Sequence, residues 1–309
     1  MEFTQGVRFD SLGLTEEVQR ALKKKNIEES TPVQAGCIPP MREWKDVIAK
    51  APTGTGKTCA FGIPVAEHIL PENKYPQAVI MAPTRELAQQ IAQELEELTY
   101  FMPEVQVACV YGGANMEKQA KRLAEGCQIV VATPGRLLDL IGQGYVTLDT
   151  IRFFVLDEAD RMLDMGFSDD IMKIISYMPA ERQTIMFSAT LPPKIRELAK
   201  TILRNPAEVN IAISKPNEAI DQSAYVCYEN QKLGIIREMF AEPTESKTII
   251  FSSSKLKVKE LAHTLKRMGL DVAAMHSDLE QAQREEVMLD FKNNKVSILV
   301  ATDIVARGI

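Results

Sequence analysis

Residues 51–58 combine glycines, a lysine and a threonine at a spacing suited to holding phosphate groups. Their sequence, APTGTGKT, matches the phosphate-binding pattern GxxxxGK followed by serine or threonine, except that alanine replaces the first glycine. Gly54 and Gly56 allow backbone N–H groups to turn toward phosphate oxygens. Lys57 offers a mobile cation to the β- and γ-phosphates, and Thr58 offers a hydroxyl to Mg²⁺. This segment therefore predicts a site for a nucleoside triphosphate and Mg²⁺.

An acidic tetrapeptide, residues 157–160 with the sequence DEAD, follows the apolar run 153–156. If that run is a central parallel strand, its carboxyl end faces the crevice where such sheets bind ligands. Asp157 is then placed to hold Mg²⁺, usually through water, and Glu158 to orient or deprotonate an attacking water. An acidic tetrapeptide alone is more typical of a solvated helix start. Its combination with the glycine-rich segment favours the catalytic interpretation.

The elements that must position these residues alternate along the chain. Short apolar runs predict strands, and amphipathic stretches lie between them, such as residues 87–99 with apolar side chains three and four positions apart. Five strands are predicted at residues 46–51, 78–82, 105–111, 128–133 and 153–157. Because strands separated by helices are typical of βαβ units, we predict an α/β fold with parallel sheets.

Part of the strand pattern occurs twice. The runs AVIMAPTRE, VQVACVYGG and QIVVATPGR in the first half resemble KTIIFSSSK, LDVAAMHSD and VSILVATDIVARG in the second, at offsets of 165 to 169 residues. Chance similarity between valine-rich strands is the alternative, but three matches in order favour an internal duplication. We predict two similar lobes, residues 1–213 and 223–309, joined by a polar linker at 214–222.

Composition excludes several classes of protein. The 309 residues carry a formal net charge of −6, with 45% hydrophobic and 25% charged residues, which excludes an intrinsically disordered chain. No apolar run approaches the ~18–20 residues of a membrane span, and the first residues lack a secretory signal pattern. Five widely spaced cysteines without a CxxC pair predict free thiols and a cytoplasmic location. Because the overall charge is acidic, nucleic acid would have to contact local basic groups.

Together, DEAD and APTGTGKT resemble the motifs of the DEAD-box ATP-dependent RNA helicases of superfamily two. Seven further matches follow in the family's order, and the resemblance extends from Phe9 to Ile309. They are TPVQ at 31–34, PTRELA at 83–88, GG at 112–113, TPGR at 133–136, SAT at 188–190, QAQR at 281–284 and ATDIVARG at 301–308. Each motif is short, but their shared order and spacing are specific. The resemblance implies two RecA-like lobes in tandem, and the short segment before the first motif adds the expectation of a bacterial origin.

The resemblance also implies the nucleotide contacts. Gln34 is expected to hydrogen-bond to the adenine edge, since an amide offers both a donor and an acceptor, and Phe9 is expected to stack near the base. The expected ATP contacts are Phe9, Gln34, Thr53, Gly54, Thr55, Gly56, Lys57, Thr58 and Asp303, the last near the ribose. The expected Mg²⁺ ligands are Thr58 and Asp157.

The remaining motifs imply RNA contacts and coupling. Small residues and backbone N–H groups at helix starts bind phosphates well, and nearby arginines add charge. The expected RNA contacts are Thr84, Arg85, Gly113, Thr133, Pro134, Gly135, Arg136, Arg284 and Thr302. The alternative for the first-lobe motifs is that Thr84 and Thr133 only cap helices. The expected catalytic and coupling residues are Lys57, Asp157, Glu158, Ser188 and Thr190.

The function that the resemblance implies is an ATP-dependent RNA helicase. ATP and RNA would draw the lobes together, bend one RNA strand and separate a short duplex, and hydrolysis would reset the cleft. Contacts to the RNA backbone imply little sequence specificity. Two alternatives stay open: a DNA helicase or translocase built on the same lobes, and an ATP-dependent RNA clamp that does not unwind.

The end of the sequence adds an expectation about activity. Residue 309 lies six residues past the last predicted strand, so the remaining elements of a duplicated second lobe would follow it. The family's HRxGRxGR motif, whose arginines act on the γ-phosphate, has no match in these residues. We therefore expect this chain to bind ATP but to hydrolyse it weakly.

Overall fold

A seven-stranded sheet organises the first unit of the chain, Met1–Ile213, in the computed structural model. The structure describes residues 5–211, 221–241 and 246–302. The strands of this sheet are β1 (Val47–Lys50), β2 (Ala78–Met81), β3 (Val107–Val110), β4 (Ile129–Ala132), β5 (Phe153–Leu156), β6 (Gln183–Ser188) and β7 (Ala207–Asn210). All neighbouring strands pair in parallel, in the order β3-β4-β2-β5-β6-β1-β7. The predicted α/β fold with a parallel sheet is confirmed.

Helices cover both faces of this sheet. They are α1 (Glu16–Lys24), α2 (Pro32–Arg42), α3 (Lys57–His68), α4 (Arg85–Leu98), α5 (Met116–Ala124), α6 (Pro134–Gly142), α7 (Ala159–Asp164), α8 (Ser168–Ser176) and α9 (Pro193–Ile202). Because successive side chains of a strand point to opposite faces, Ile80 packs in one hydrophobic cluster and its neighbours Val79 and Met81 in another. Helices α1 to α4 contribute to the first cluster, and α5 to α9 to the second.

The five predicted strands all form, each shorter than predicted at one or both ends. Of the predicted strand 105–111, for example, only Val107–Val110 form β3. Strands β6 and β7 are not predicted from the sequence, for two different physical reasons. Strand β7 lies at the sheet edge, where only Val209 is fully buried. Strand β6 is buried although it begins with Gln183, because the Gln183 amide donates to the carbonyls of Met41 and Lys45 at 2.8 and 2.7 Å.

The second unit, Ser214–Ile309, contains a smaller parallel sheet. Its described strands are β8 (Thr248–Ser252), β9 (Val272–Met275) and β10 (Ile298–Thr302), in the order β8-β10-β9, with helices α10 (Lys232–Met239), α11 (Lys255–Arg267) and α12 (Gln281–Lys292). The three strands are those that the sequence repeat pairs with β2, β3 and β4, and β2-β4-β3 has the same order in the first sheet. The predicted linker falls largely outside the described residues.

A buried carboxylate joins three segments at the amino ends of the first unit's strands. Asp46 directly precedes β1, and its side chain accepts hydrogen bonds from the backbone N–H groups of Thr184 at 2.8 Å and Arg204 at 2.7 Å. The residue is 6% exposed. Both carboxylate oxygens are therefore used to hold β6 and the segment before β7 against β1.

We predict that Asp46→Ala lowers the free energy of unfolding of the first unit by about 3 kcal/mol, because two buried N–H groups lose a charged acceptor. Urea unfolding followed by the fluorescence of Trp44, the single tryptophan of the chain, measures this change. Asp149→Ala removes an exposed carboxylate and serves as the control, with an expected change within about 0.5 kcal/mol. Equal stability of the two variants would contradict the assigned role.

Candidate nucleotide and nucleic-acid site

The glycine-rich loop joins the carboxyl end of β1 to the start of α3. Gly54 and Gly56 have φ angles of 76° and 86°, in the left-handed region that favours glycine. Within the loop, the Thr55 hydroxyl donates to the Pro52 carbonyl at 2.8 Å. Thr53 and Gly54 are exposed. Because α3 begins at Lys57, the loop ends at a helix amino terminus, which attracts anions.

A buried ion pair connects this loop to the acidic tetrapeptide. Lys57 Nζ lies 3.3 Å from Asp157 Oδ1, and the two side chains are 6% and 3% exposed. Burial raises the pKa of the Asp157 carboxyl, and the Lys57 ammonium opposes that rise. The ammonium has no well-aligned hydrogen bond within the described residues, so a phosphate oxygen would give it one. A buried cation, a buried carboxylate and the neighbouring Thr58 hydroxyl fit a triphosphate with Mg²⁺.

Glu158 has an unusual backbone conformation for its residue type. Its φ of 53° and ψ of 51° are left-handed, which costs a non-glycine residue about 1–2 kcal/mol. The residue ends the turn between β5 and α7, and its N–H donates to Asp157 Oδ1 at 2.9 Å. It is half-buried, whereas Asp157 is buried. Backbone strain of this kind is concentrated at functional sites, where the surrounding structure maintains it.

The fourth residue of the tetrapeptide makes a contact that the sequence analysis missed. Asp160 Oδ2 accepts hydrogen bonds from the Thr190 N–H at 2.9 Å and from the Thr190 hydroxyl at 2.8 Å. Ser188, the last residue of β6, donates from its hydroxyl to the Thr190 carbonyl at 2.6 Å. The DEAD and SAT segments are thus directly joined. The carboxylate of Asp160 could have indicated this contact from the sequence. Roles were assigned there only to Asp157 and Glu158.

Gln34 connects α2 to the phosphate-binding loop. Its Oε1 accepts from the Thr31 N–H at 2.8 Å, and its Nε2 donates to the Gly56 carbonyl at 3.0 Å. The side chain is 4% exposed. One amide hydrogen remains after these two bonds, so hydrogen bonding to adenine is compatible with this position and stays a prediction.

Phe9 lies in the hydrophobic core rather than on an open surface. It begins a short 3-10 helix, Phe9–Leu12, is 4% exposed and belongs to the same cluster as Val33. Its N–H donates to the Glu28 carbonyl at 3.0 Å. Stacking of Phe9 near a base stays a prediction. Asp303, the expected ribose contact, lies outside the described residues.

The expected RNA contacts of the first unit follow three adjacent strands, β3, β4 and β2, at their carboxyl ends. Thr84 caps α4, since its hydroxyl accepts from the Leu87 N–H at 3.3 Å, and its RNA contact stays a prediction beside that role. The Thr133 side chain makes no cap hydrogen bond at α6, so capping does not account for this residue. Pro134 and Gly135 occupy the first turn of α6, and nothing lies within 4 Å of a Cβ added at Gly135.

The two arginines of this region are held differently. Arg85 lies so close to Gly113 that a Cβ there would collide with the guanidinium, and Gly113 has a φ of 85°. Arg136 donates to the Ala114 carbonyl at 3.2 Å and to Gln119 Oε1 at 2.8 Å. The Arg136 guanidinium therefore already holds the loop after β3. This internal role was not part of its sequence-based assignment.

The expected contacts of the second unit also follow strand ends. Thr302 is the last residue of β10. Arg284 lies in the first turn of α12, and its Nη2 is 3.4 Å from the Ser277 carbonyl. His276, which follows β9, is buried.

Comparison with known proteins gives two family matches, the DEAD/DEAH box helicase domain over residues 31–198 and the helicase conserved C-terminal domain over residues 231–309. The chain belongs to the DEAD/DEAH box helicase family. It is 43% identical to the ATP-dependent RNA helicase CshA of Limosilactobacillus reuteri and 41% identical to the DEAD-box ATP-dependent RNA helicase CshA of Geobacillus kaustophilus. These alignments cover 98% and 97% of this chain but 61% and 64% of the relatives, so the chain spans about three fifths of their length.

Solved structures of the family have the same fold. Saccharomyces cerevisiae Dbp5 bound to RNA and ADP BeF3 is 30% identical, with a TM-score of 0.87 over 98% of this chain and 77% of that one. A DEAD box protein from the hyperthermophile Methanococcus jannaschii is 36% identical, with a TM-score of 0.63 over 99% and 83% of the two chains. Their likeness supports the tandem RecA-like fold class. Among the residues that the structure describes, no helix is long and apolar enough to cross a membrane.

We predict that Gly56→Ala weakens ATP binding, because the new Cβ would displace the Gln34 amide from its place beside the loop and the φ of 86° is strained for alanine. Equilibrium binding of a fluorescent ATP analogue measures the effect. Gly144→Ala is the matched control, since Gly144 has a φ of 74° with nothing within 4 Å of an added Cβ. Unchanged ATP affinity in Gly56→Ala would contradict the loop assignment.

Proposed function

We propose that this chain contains the ATP-binding and RNA-binding lobes of an ATP-dependent RNA helicase. The observation that carries the proposal is the set of contacts linking the phosphate-binding loop, DEAD and SAT, namely the Lys57–Asp157 pair and the Asp160–Thr190 hydrogen bonds. Membership of the DEAD/DEAH box family and relatives named ATP-dependent RNA helicases support it. The activity of the whole protein is part of the proposal.

In the proposed site, ATP lies with its phosphates against the glycine-rich loop. Lys57 exchanges its contact with Asp157 for phosphate oxygens, and Gln34 hydrogen-bonds to the adenine. Thr58 and Asp157 are the residues that would hold Mg²⁺, which supplies charge neutralisation at the phosphates when bound. Glu158 orients the attacking water and accepts its proton.

The coupling step follows from the Asp160–Thr190 contact. A change at DEAD on loss of the γ-phosphate alters the hydrogen bonds that Asp160 makes to Thr190, and thereby the segment after β6. RNA binds through Thr84, Arg85, Gly113 and the TPGR segment on the first lobe, and through Arg284 and Thr302 on the second. ATP and RNA draw the lobes together, the bound strand bends, and a short duplex separates. Backbone contacts give little sequence specificity.

Two other functions would use the same lobes. A DNA helicase or translocase would bind single-stranded DNA as well as RNA. An RNA clamp would bind ATP and RNA without turnover, and the half-buried Glu158 beside the ion pair favours hydrolysis over that role. The first alternative is tested by comparing two oligonucleotides of the same sequence, one RNA and one DNA, each with a non-hydrolysable ATP analogue. Equal binding of both would favour a DNA helicase or translocase over an RNA helicase.

We predict that Glu158→Gln keeps ATP affinity within a factor of about two but slows single-turnover hydrolysis about 10²-fold or more, because an amide cannot accept the proton of water. Rapid-quench measurement on this chain and its variant gives the rate. Lys57→Ala is the contrasting variant, since it should lose ATP binding itself. A hydrolysis rate in Glu158→Gln equal to that of the parent chain would remove Glu158 from its proposed role, while leaving the ATP site intact.

We predict that Arg284→Ala weakens single-stranded RNA binding and lowers the slope of log affinity against log salt by about 0.7, the loss of one phosphate contact. Fluorescence anisotropy at several salt concentrations measures both quantities. Arg267→Ala, an exposed arginine at the end of α11, is the control and should leave the slope unchanged. The same slope in both variants would exclude a phosphate contact by Arg284.

A further inference from the structure

A pocket of the first unit lies at the opposite edge of the sheet from the glycine-rich loop. Its volume is about 520 Å³, which is within the range of small-ligand sites. The amino ends of four adjacent strands, β5, β6, β1 and β7, contribute its walls. Strand β1 separates the two sites, with Asp46 at its amino end and the phosphate-binding loop after its carboxyl end.

Basic side chains predominate in this pocket although the chain as a whole is acidic. Lys45, Arg152, Arg182 and Arg204 line it, together with the acidic residues Asp46 and Glu181. Both oxygens of Asp46 already accept backbone N–H groups. Glu181 is exposed and makes no ion pair with a described residue. Lys45 is paired with Glu43, with Nζ 2.7 Å from Oε2. Asp46 keeps its negative charge, so the three arginines face two carboxylates and leave an excess of one positive charge among the lining residues.

Two of the arginines make no ion pair with a described residue. Arg182 donates from Nη1 to the Pro179 carbonyl at 2.7 Å, while its Nε is buried without a hydrogen-bond partner in the described part of the chain. The Arg204 guanidinium is exposed and makes no hydrogen bond or ion pair there. Burial and the charge of Arg204 lower the pKa of Arg182, and the charge of Asp46 opposes that shift. An anion between the two arginines would satisfy the buried donor.

The side chain of Trp44 provides an aromatic surface beside the charged residues of the pocket. Trp44 is 43% exposed, although its ring packs on Phe153 at 4.9 Å between centroids. The Arg152 guanidinium lies 4.8 Å from the Trp44 ring centroid and donates to the His68 carbonyl at 3.0 Å. The His68 ring also contacts the indole, edge-on at 5.0 Å between centroids, so the protein fixes Trp44 from several sides. The residue nevertheless lines the pocket with its exposed part.

We propose that this pocket binds a phosphate monoester of nucleotide size, with the phosphate between Arg182 and Arg204 and the organic part against Trp44. Two guanidinium groups on separate segments, one before β6 and one before β7, suit a dianion with three oxygens better than a single carboxylate, which one arginine can hold alone. The same chemistry occurs in a free nucleotide and at the 5′-phosphate end of an RNA. The site is independent of the ATP site proposed above.

Trp44 provides the measurement, because it is the only tryptophan of the chain and lies in the pocket. Titration with uridine 5′-monophosphate should give a saturable change in tryptophan fluorescence, and uridine, which lacks the phosphate, should give none. Lys57→Ala should bind uridine 5′-monophosphate as the parent chain does. Loss of the signal in that variant would place the ligand in the ATP site and overturn the proposal.

Arg204→Gln is the main variant, since the Arg204 side chain makes no contact that folding requires. We expect affinity for uridine 5′-monophosphate to fall at least tenfold in Arg204→Gln and in Arg182→Lys, and to be unchanged in Arg267→Gln, which removes a distant exposed charge. An unchanged urea midpoint shows that each variant is folded. Equal affinity in Arg204→Gln and Arg267→Gln would overturn the proposal.

Dinucleotides distinguish the two sources of phosphate. Binding of 5′-phosphorylated UpU but not of 5′-hydroxyl UpU would support an RNA end as the ligand, and binding of the mononucleotide alone would support a free nucleotide. Equal binding of both dinucleotides would overturn monoester recognition. Tighter binding of a hexaglutamate peptide than of uridine 5′-monophosphate would also overturn it, in favour of an acidic protein segment.

Discussion

The buried ion pair between Lys57 and Asp157 brings together two chain segments that lie a hundred residues apart in the sequence. Two isolated charges would be costly to bury, so the loop after β1 and the turn after β5 must meet. The sheet order provides this, because β6 alone separates β5 from β1. Strand β6 ends at Ser188, so SAT emerges between the two charged segments. The hydrogen bonds from Thr190 to Asp160 follow from that placement.

The same sheet order separates two kinds of motif. The carboxyl ends of β5, β6 and β1 lead into DEAD, SAT and the phosphate-binding loop, while those of β3, β4 and β2 lead into GG, TPGR and PTRELA. The motifs proposed to contact nucleotide and those proposed to contact nucleic acid therefore occupy neighbouring halves of one edge of the first unit. The two halves adjoin where β5 and β2 pair directly. In the second unit, the repeated strand order places Thr302 at the corresponding edge.

Sequence alone predicts the strands that are uniformly apolar and the motifs that follow them. It does not predict β7, whose edge position leaves three of its four residues outside the core. For a polar side chain, the sequence does not distinguish a hydrogen-bond partner within the protein from a partner on a bound ligand. Thr84 caps a helix and Thr133 does not, although each precedes a helix in a similar motif. Likewise, the contacts of Arg136 with the loop after β3 depend on tertiary packing, which local patterns do not encode.

The two edges of the sheet differ in how they use charge. At the carboxyl edge, Lys57 and Asp157 form an ion pair that still leaves the ammonium without a well-aligned hydrogen bond among the described residues. At the amino edge, Asp46 is satisfied by backbone N–H groups, including that of Arg204, so the fold uses the Arg204 main chain and not its guanidinium. The Arg204 guanidinium makes no hydrogen bond or ion pair with a described residue, and the buried Nε of Arg182 has no hydrogen-bond partner among those residues. These unused donor groups, set in a pocket, are the physical ground for assigning the amino-edge arginines to a ligand.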